Sequence, residues 1–340
     1  MRELTAIVPN PSMDRVEVVP ELSFGRPLRA ERSLEWPGGS GTHAALVARC
    51  LGVEVVTVVA PLGGATGTRW VGALGERGIR AAAVAIAGAT RSNVSVLDAR
   101  GLAQLEVVEA GPTLDAAEAD RFVSAALAAV AEGSVVVLSG SFPSGLAPSL
   151  VTRVAERAHQ VGATLVCDLG GAALGLALAA GAHWVKANLD EMSAWWATAA
   201  PGRTETGSAP PPAAGSWPLV ATWLEEVGRE SPTTNIMLTM AGEGALWHGP
   251  AGTFHLPSPA VTAFNPIGCG DAMVGAMAGA LCADLSGDQV TRWGVAAAAE
   301  NLAHAEPGTV DRQRFAEILD SVTLEPMVQG TDANDRMVAR

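Results

Sequence analysis

Short, almost purely apolar runs recur along this chain, with amphipathic stretches between them. Leu4 to Val8, Val53 to Ala60, Val135 to Ser139, Thr164 to Asp168, His183 to Ala187 and Ile236 to Thr239 are such runs. Their lengths and valine content suit strands buried on both faces. Between them, Ala44 to Leu51, Trp70 to Arg77, Ala116 to Ala131, Pro148 to Val161 and Ala172 to Ala180 carry apolar residues at helical spacing. Crossovers of this length join parallel strands, so the pattern predicts an α/β fold with a mainly parallel central sheet and helices on both faces.

Two regions break the rhythm. Arg15 to Trp36 is short and strand-like, with Val16, Val18 and Leu22 among polar residues, and residues 93–98 and 102–108 flank the turn Ala99-Arg100-Gly101. Together they predict a small β-sheet beside the main domain, a lid with strands from about 16–36 and 90–110. Further on, the turn Ala241-Gly242-Glu243-Gly244 leads into strand Ala245 to His248 and an edge strand Thr253 to Leu256, and helices near 287–304 and 311–321 close the chain. Residues 198–218, with Pro210-Pro211-Pro212 in the middle, predict a flexible insertion within one folded domain, 1–328; the polar residues 329–340 predict a disordered tail.

Composition narrows the partners. A chain of 340 residues that is 49% hydrophobic can bury a large core. Its net charge of −13, with no basic run, opposes attraction to nucleic acid. Four cysteines without a CxxC pair fit a reduced, cytoplasmic protein. No apolar run reaches membrane-spanning length before Gly, Pro or charge interrupts it. Small molecules are therefore the expected partners, not nucleic acid or membrane.

In parallel sheets the functional groups gather beyond the carboxyl ends of the strands. Asp14, in the turn Pro9 to Asp14, falls there, as do Ser141, Asp168, Asn188 and Glu191. The glycines of Pro37-Gly38-Gly39-Ser40-Gly41-Thr42-His43 let backbone approach a ligand closely at a helix start, although such clusters mark ordinary turns just as often. His43 by itself reads as a structural hydrogen-bonding residue, and Arg91 by itself as one half of a surface ion pair. The most informative stretch is Asn265-Pro266-Ile267-Gly268-Cys269-Gly270-Asp271, which runs into the small-residue helix Ala272 to Ala280. Glycines before a helix leave amide N–H groups pointing outward, a ready anion site. Asp271 at its mouth either caps the helix or takes a proton from a hydroxyl attacking a bound phosphate. The heptapeptide leaves both open.

Five stretches, in order, change that balance: Asn10-Pro11-Ser12-Met13-Asp14, Thr90-Arg91-Ser92-Asn93-Val94, Ser139-Gly140-Ser141-Phe142-Pro143, Val185-Lys186-Ala187-Asn188-Leu189-Asp190-Glu191 and Gly270-Asp271-Ala272-Met273-Val274-Gly275. With these the chain resembles, over nearly its full length, the PfkB group of carbohydrate kinases, nearest to the phosphofructokinase and tagatose-6-phosphate kinase branch. The resemblance implies the ribokinase-like three-layer α/β/α fold and an ATP-dependent phosphotransferase. It makes Asp271 the base for the sugar hydroxyl, with Gly268, Cys269 and Gly270 as an anion hole. It puts Asp14, Gly38, Gly39 and His43 at the sugar, and Arg91 and Ser141 at the phosphate already on it. Lys186, Asn188, Thr239, Gly242 and Gly244 fall to ATP, Glu191 to Mg²⁺ through water, and Asn265 and Ile267 to a monovalent cation such as K⁺. Relatives often pair across the flanking sheet, so a homodimer through the lid is one expectation.

Three positions depart from the pattern. Relatives usually carry Gly-Gly-Lys-Gly-x-Asn, where this chain has Ser40 and His43; Ala187 replaces the proline of Lys-Pro-Asn; Ala241 stands where the nucleotide turn usually has glycine. The leading expectation is a kinase of a phosphorylated ketohexose (fructose 6-phosphate, fructose 1-phosphate or tagatose 6-phosphate). A kinase of an unphosphorylated sugar or nucleoside is the second, and a catalytically weak sugar-phosphate or nucleotide sensor the third. A dinucleotide-dependent oxidoreductase ranks below these, because no GxGxxG follows the first strand.

Overall fold

The computed structural model describes residues 2–101, 103–199 and 216–327. Its core is a ten-stranded sheet in the order β14-β13-β12-β11-β10-β9-β8-β1-β4-β5. The apolar runs supply its centre: β1 (Leu4–Ile7), β4 (Val56–Leu62), β8 (Val135–Ser139), β9 (Thr164–Asp168), β10 (Trp184–Asn188) and β11 (Asn235–Thr239). Together with β5 (Arg80–Ala85) these pair in parallel. The far edge turns antiparallel through β12 (Ala245–Gly249), β13 (Gly252–Leu256) and β14 (Glu325–Pro326), so the strand at Thr253 to Leu256 is not the outermost one.

A separate four-stranded sheet runs β3-β2-β6-β7, from β2 (Ser12–Val19), β3 (Arg32–Gly38), β6 (Arg91–Asp98) and β7 (Gln104–Val107). This is the expected small flanking sheet, with one correction. The strand begins at Ser12, so Asp14 lies within β2, not in a turn, directly opposite Trp36 on β3 and Asn93 on β6.

Helices cover both faces of the large sheet. On one side lie α1 (Ser40–Cys50), α2 (Gly64–Glu76), α8 (Cys269–Cys282), α9 (Gly287–Asn301) and α10 (Arg312–Ser321); on the other, α3 (Ala116–Ala128), α4 (Leu150–Gln160), α5 (Gly171–Ala179), α6 (Leu189–Ala199) and α7 (Trp217–Glu230). Two apolar clusters follow from this division. Small residues make α8 apolar all round, and Ala272 to Ala280 are all buried, as such a helix must be. It packs on α1 so closely that a Cβ on Gly275 would collide with the carbonyl oxygen of Ala44. The insertion and tail expected from composition lie mostly outside the described residues; residues 198–199 and 217–218, expected in that insertion, belong to α6 and α7. Among the described residues no helix is long and apolar enough to cross a membrane.

Candidate active site

Helix α8 starts at Cys269, one residue after Gly268, whose φ of 80° is in the left-handed region and suits glycine. Asp271 therefore sits inside the first turn and does not cap the helix; α8 has no side-chain cap. The first amides of a helix have no carbonyl one turn earlier to bond, and the Cys269 amide makes only a long 3.4 Å contact with Pro266 O. The positive end of the helix dipole thus opens outward beside a carboxylate.

This helix end separates two cavities. One, of 390 Å³, is lined by Thr239, Gly242, Gly244, Cys269 and Gly270 with the apolar Met273 and Val295, and suits a flat, largely apolar group. The other, of 480 Å³, is much more polar than the first and holds Ser40, Ser141, Asp168, Lys186, Glu191 and Asp271. The turn feeding the first is a short 3₁₀ segment, Ala241–Glu243, in which Ala241 takes φ 48°, a conformation that costs a side-chain-bearing residue. Burial pushes the Cys269 thiol up to about 11, so it remains a thiol at neutral pH.

Across from the α8 N-terminus, the loop with two glycines brings β3 into α1. A Cβ on Gly38 would collide with the Asp14 carboxylate, and Gly39 caps α1 with φ 97°. His43 follows in the first turn of α1, only 4% exposed. Its Nδ1 lies 2.8 Å from Asp271 Oδ2. Its Nε2 lies 3.3 Å from Asp14 Oδ2, an ion-pair distance whose angle falls short of a full hydrogen bond. Burial pulls the imidazole down, yet Asp14 and Asp271 outweigh it and push it up to about 10. Asp14 is raised by burial, but His43 more than compensates, with Ser12 and Asn93 donating to Oδ1 at 2.7 and 2.9 Å, and it stays below the usual carboxylate range.

Lys186 and Asp168 face each other in register on β10 and β9, Nζ 3.0 Å from Oδ1, both nearly buried. Their balance is lopsided. Burial pushes Asp168 up to about 6 against the pull of Lys186. Burial also opposes charge on Lys186, but Asp168, Glu191 and Asp271 together hold it above its usual value. One lysine thus serves three carboxylates. Its Nζ would be 2.6 Å from a Cβ on Gly270, which places it against the α8 amides. Asn188 and Glu191 bond reciprocally: the Asn188 amide donates to Glu191 Oε2 and the Glu191 amide to Asn188 Oδ1.

Arg91 opens β6, where its guanidinium donates to Glu109 O at 2.8 Å and Asn10 O at 3.0 Å, while its buried Nε has no partner. Burial draws it below its usual range, and Asp14 and Glu109 pull the other way. Asn10 joins it to Ser141, donating from Nδ2 to Ser141 Oγ at 3.0 Å. Arg26 is exposed and bonds Ser23 within its own loop.

Residues 7–313 match the family described as pfkB family carbohydrate kinase. The chain belongs to this family. It is 27% identical over 328 residues to 1-phosphofructokinase of Escherichia coli K12, covering 96% of this chain and 99% of that one. To ATP-dependent 6-phosphofructokinase isozyme 2 of Mycobacterium tuberculosis it is 28% identical over 328 residues, covering 95% and 90%. The solved structure of Escherichia coli phosphofructokinase-2 in complex with fructose-6-phosphate superposes with a TM-score of 0.81 at 25% identity, covering 94% of this chain and 99% of that one. The fold of this sugar kinase is ribokinase-like.

The metal expectations fare differently. Among the described residues no three His, Cys, Asp or Glu side chains are arranged to hold a metal alone. Two carboxylates, Asp168 and Glu191, in one polar cavity suit Mg²⁺, which keeps waters and shares its remaining positions with phosphate oxygens. At Asn265 and Ile267, the positions expected at K⁺, two oxygens each accept one hydrogen bond and keep a second lone pair. Asn265 Oδ1 already accepts from the Ile267 amide, and Ile267 O from Asn301 Nδ2. Sequence reasoning set Asp168 among the strand-end groups without a role for it, and gave none to Asn10 or Asn93. Asp168 had a signal, a charged residue closing a largely apolar strand; Asn93 gains meaning only from strand register, and Asn10 from its bonds to Ala110 O and Ser141 Oγ.

Proposed function

We propose that this sugar kinase transfers the γ-phosphoryl group of ATP to a hydroxyl of a phosphorylated ketohexose, giving a bisphosphate. The observation that carries the reading is the place of the α8 N-terminus, between an apolar cavity fit for a nucleotide base and a polar one that holds Asp271, Lys186 and Ser141. Asp271 accepts the proton of the attacking hydroxyl, and the amides of Gly268, Cys269 and Gly270 stabilise charge on the transferring group. Lys186 approaches the ATP phosphates alongside Gly270, with Asn188, Thr239, Gly242 and Gly244 shaping the nucleotide side. Glu191, steadied by Asn188, and Asp168 would hold Mg²⁺, which when bound neutralises phosphate charge. Asp14, Gly38 and Gly39 take sugar hydroxyls, and Arg91, Asn10 and Ser141 the sugar's own phosphate, where the guanidinium fork suits its oxygens. The 1- and 6-phosphofructokinase relatives support the substrate class.

A coupled ADP assay with Mg-ATP and fructose 6-phosphate, fructose 1-phosphate and tagatose 6-phosphate tests this. Turnover of at least one is expected, and ADP release with none of them rejects it. Arg91→Ala should raise the sugar KM by orders of magnitude; an unchanged KM would favour an unphosphorylated acceptor. A homodimer across the four-stranded sheet is part of the proposal, supported by exposed Leu105, Val107 and Val108 at its β7 edge. Sedimentation at micromolar concentration should show twice the monomer mass.

A further inference from the structure

His43 touches two carboxylates on two different elements, Asp14 of β2 and Asp271 of α8, one at each ring nitrogen. An ionised carboxylate only accepts hydrogen bonds, and an imidazole donates from both nitrogens only when it is protonated. A neutral ring would satisfy one carboxylate and turn a lone pair on the other. We propose that His43 is a positioning residue which, as an imidazolium, links the sugar-binding carboxylate Asp14 to the base Asp271 and keeps both ionised in one buried cluster. The cluster then carries two negative charges and one positive, whereas two facing carboxylates without the ring would favour uptake of a proton by one of them. The inference rests on the phosphotransfer reading for the role of Asp271, but not for the charge of His43.

The residue is held closely at its backbone and Cβ. A Cβ on Gly308 would lie 2.6 Å from His43 Cβ, so the loop after α9 presses on the residue from outside. The bond to Asp271 engages Oδ2 and leaves Oδ1 for the polar cavity. Toward the sugar, the longer approach to Asp14 leaves Nε2 able to donate to a hydroxyl that itself donates to Asp14. An asparagine side chain at this position offers an amide dipole but no charge, so this chain gains an electrostatic link that its usual counterpart lacks.

Other charged groups face the same cluster. Glu106 on β7 is raised by its own burial and by Asp14 and Asp271, Arg91 on β6 interacts with Asp14, and Lys186 on β10 with Asp271. The acidic neighbour and the two basic ones act in opposite senses on the ring, and the two direct contacts decide. Because the folded value for His43, about 10, lies above the ordinary 6.5, the linked stability is complete below about pH 6.5 and is lost as pH rises toward 10. The link should therefore persist through neutral pH and fail in alkali.

Long-range ¹H–¹⁵N spectra of the full-length, ¹⁵N-labelled protein without substrate read the ring directly, with His43 identified as the signal missing from His43→Asn. At pH 8 both nitrogens should show imidazolium shifts, with a midpoint above pH 9. Asp14→Asn and Asp271→Asn should each lower that midpoint by a pH unit or more. A midpoint below 7.5, or one that neither variant moves, overturns the proposal. With whichever phosphosugar is turned over, His43→Ala should lower kcat at least 100-fold and His43→Asn should recover part of it. Equal rates in wild type and His43→Ala across pH 6 to 9 would also overturn it. If no phosphosugar is turned over, the substrate reading fails while the spectra still decide the charge of His43.

Discussion

Replacing Lys186 by methionine removes a cation that faces Asp168, Glu191 and Asp271 while keeping most of the side-chain volume. Asp168 is then left buried without its partner at 3.0 Å. In the wild type its carboxyl titrates at about 6, raised from 3.8 by burial, so its ionisation costs stability between those two values and no more above them. In Lys186→Met the carboxyl should keep its proton to much higher pH, and the cost keeps growing at about 1.4 kcal/mol per pH unit. The variant should therefore lose little extra stability at pH 5.5 but about 3 kcal/mol more by pH 8, within the roughly 3–5 kcal/mol expected for breaking a buried pair. Urea unfolding at pH 5.5, 7 and 8, followed by tryptophan fluorescence, measures this. Adding Asp168→Asn to Lys186→Met should flatten the dependence, because no titrating group is left in the pair. A loss of the same size at all three pH values would refute the reasoning.

Further substitutions test other parts of the site. Asp271→Asn should lower kcat by about 10²–10⁴, or roughly 3–5 kcal/mol of barrier, with the sugar KM little changed and the circular dichroism spectrum intact. Ala241→Gly should raise the urea midpoint, since relief of left-handed strain, about 1–2 kcal/mol, exceeds the added chain entropy of about 0.4–1 kcal/mol. Gly275→Ala should cost about 1–3 kcal/mol through overpacking and reduce kcat as well, because the new Cβ meets Ala44 and Val47 beneath Asp271; full activity would refute the close packing of α1 on α8.

The parallel core was legible because runs such as Val135 to Ser139 leave no polar position to face water. The α8 N-terminus was legible too, because glycines flank its start. Asp14 was read as a turn residue for a physical reason. Pro9-Asn10-Pro11 signals a turn, and Ser12 and Asp14 share the buried face of β2 with Val16 and Val18, so apolar alternation misses the strand's first half. The Asp168–Lys186 pair depends on the register of β9 against β10, which no local pattern encodes. Still further from local sequence is the bridge from His43 to Asp271, which spans 228 positions.

The tight seam between α1 and α8 means that the histidine and the aspartate it grips travel as one body. Asp14 belongs to the small sheet instead. Any swing of that sheet as ligands enter would leave the 2.8 Å contact alone and stretch or shorten the 3.3 Å gap. That gap is therefore the place where a displacement of the small sheet would register on the histidine.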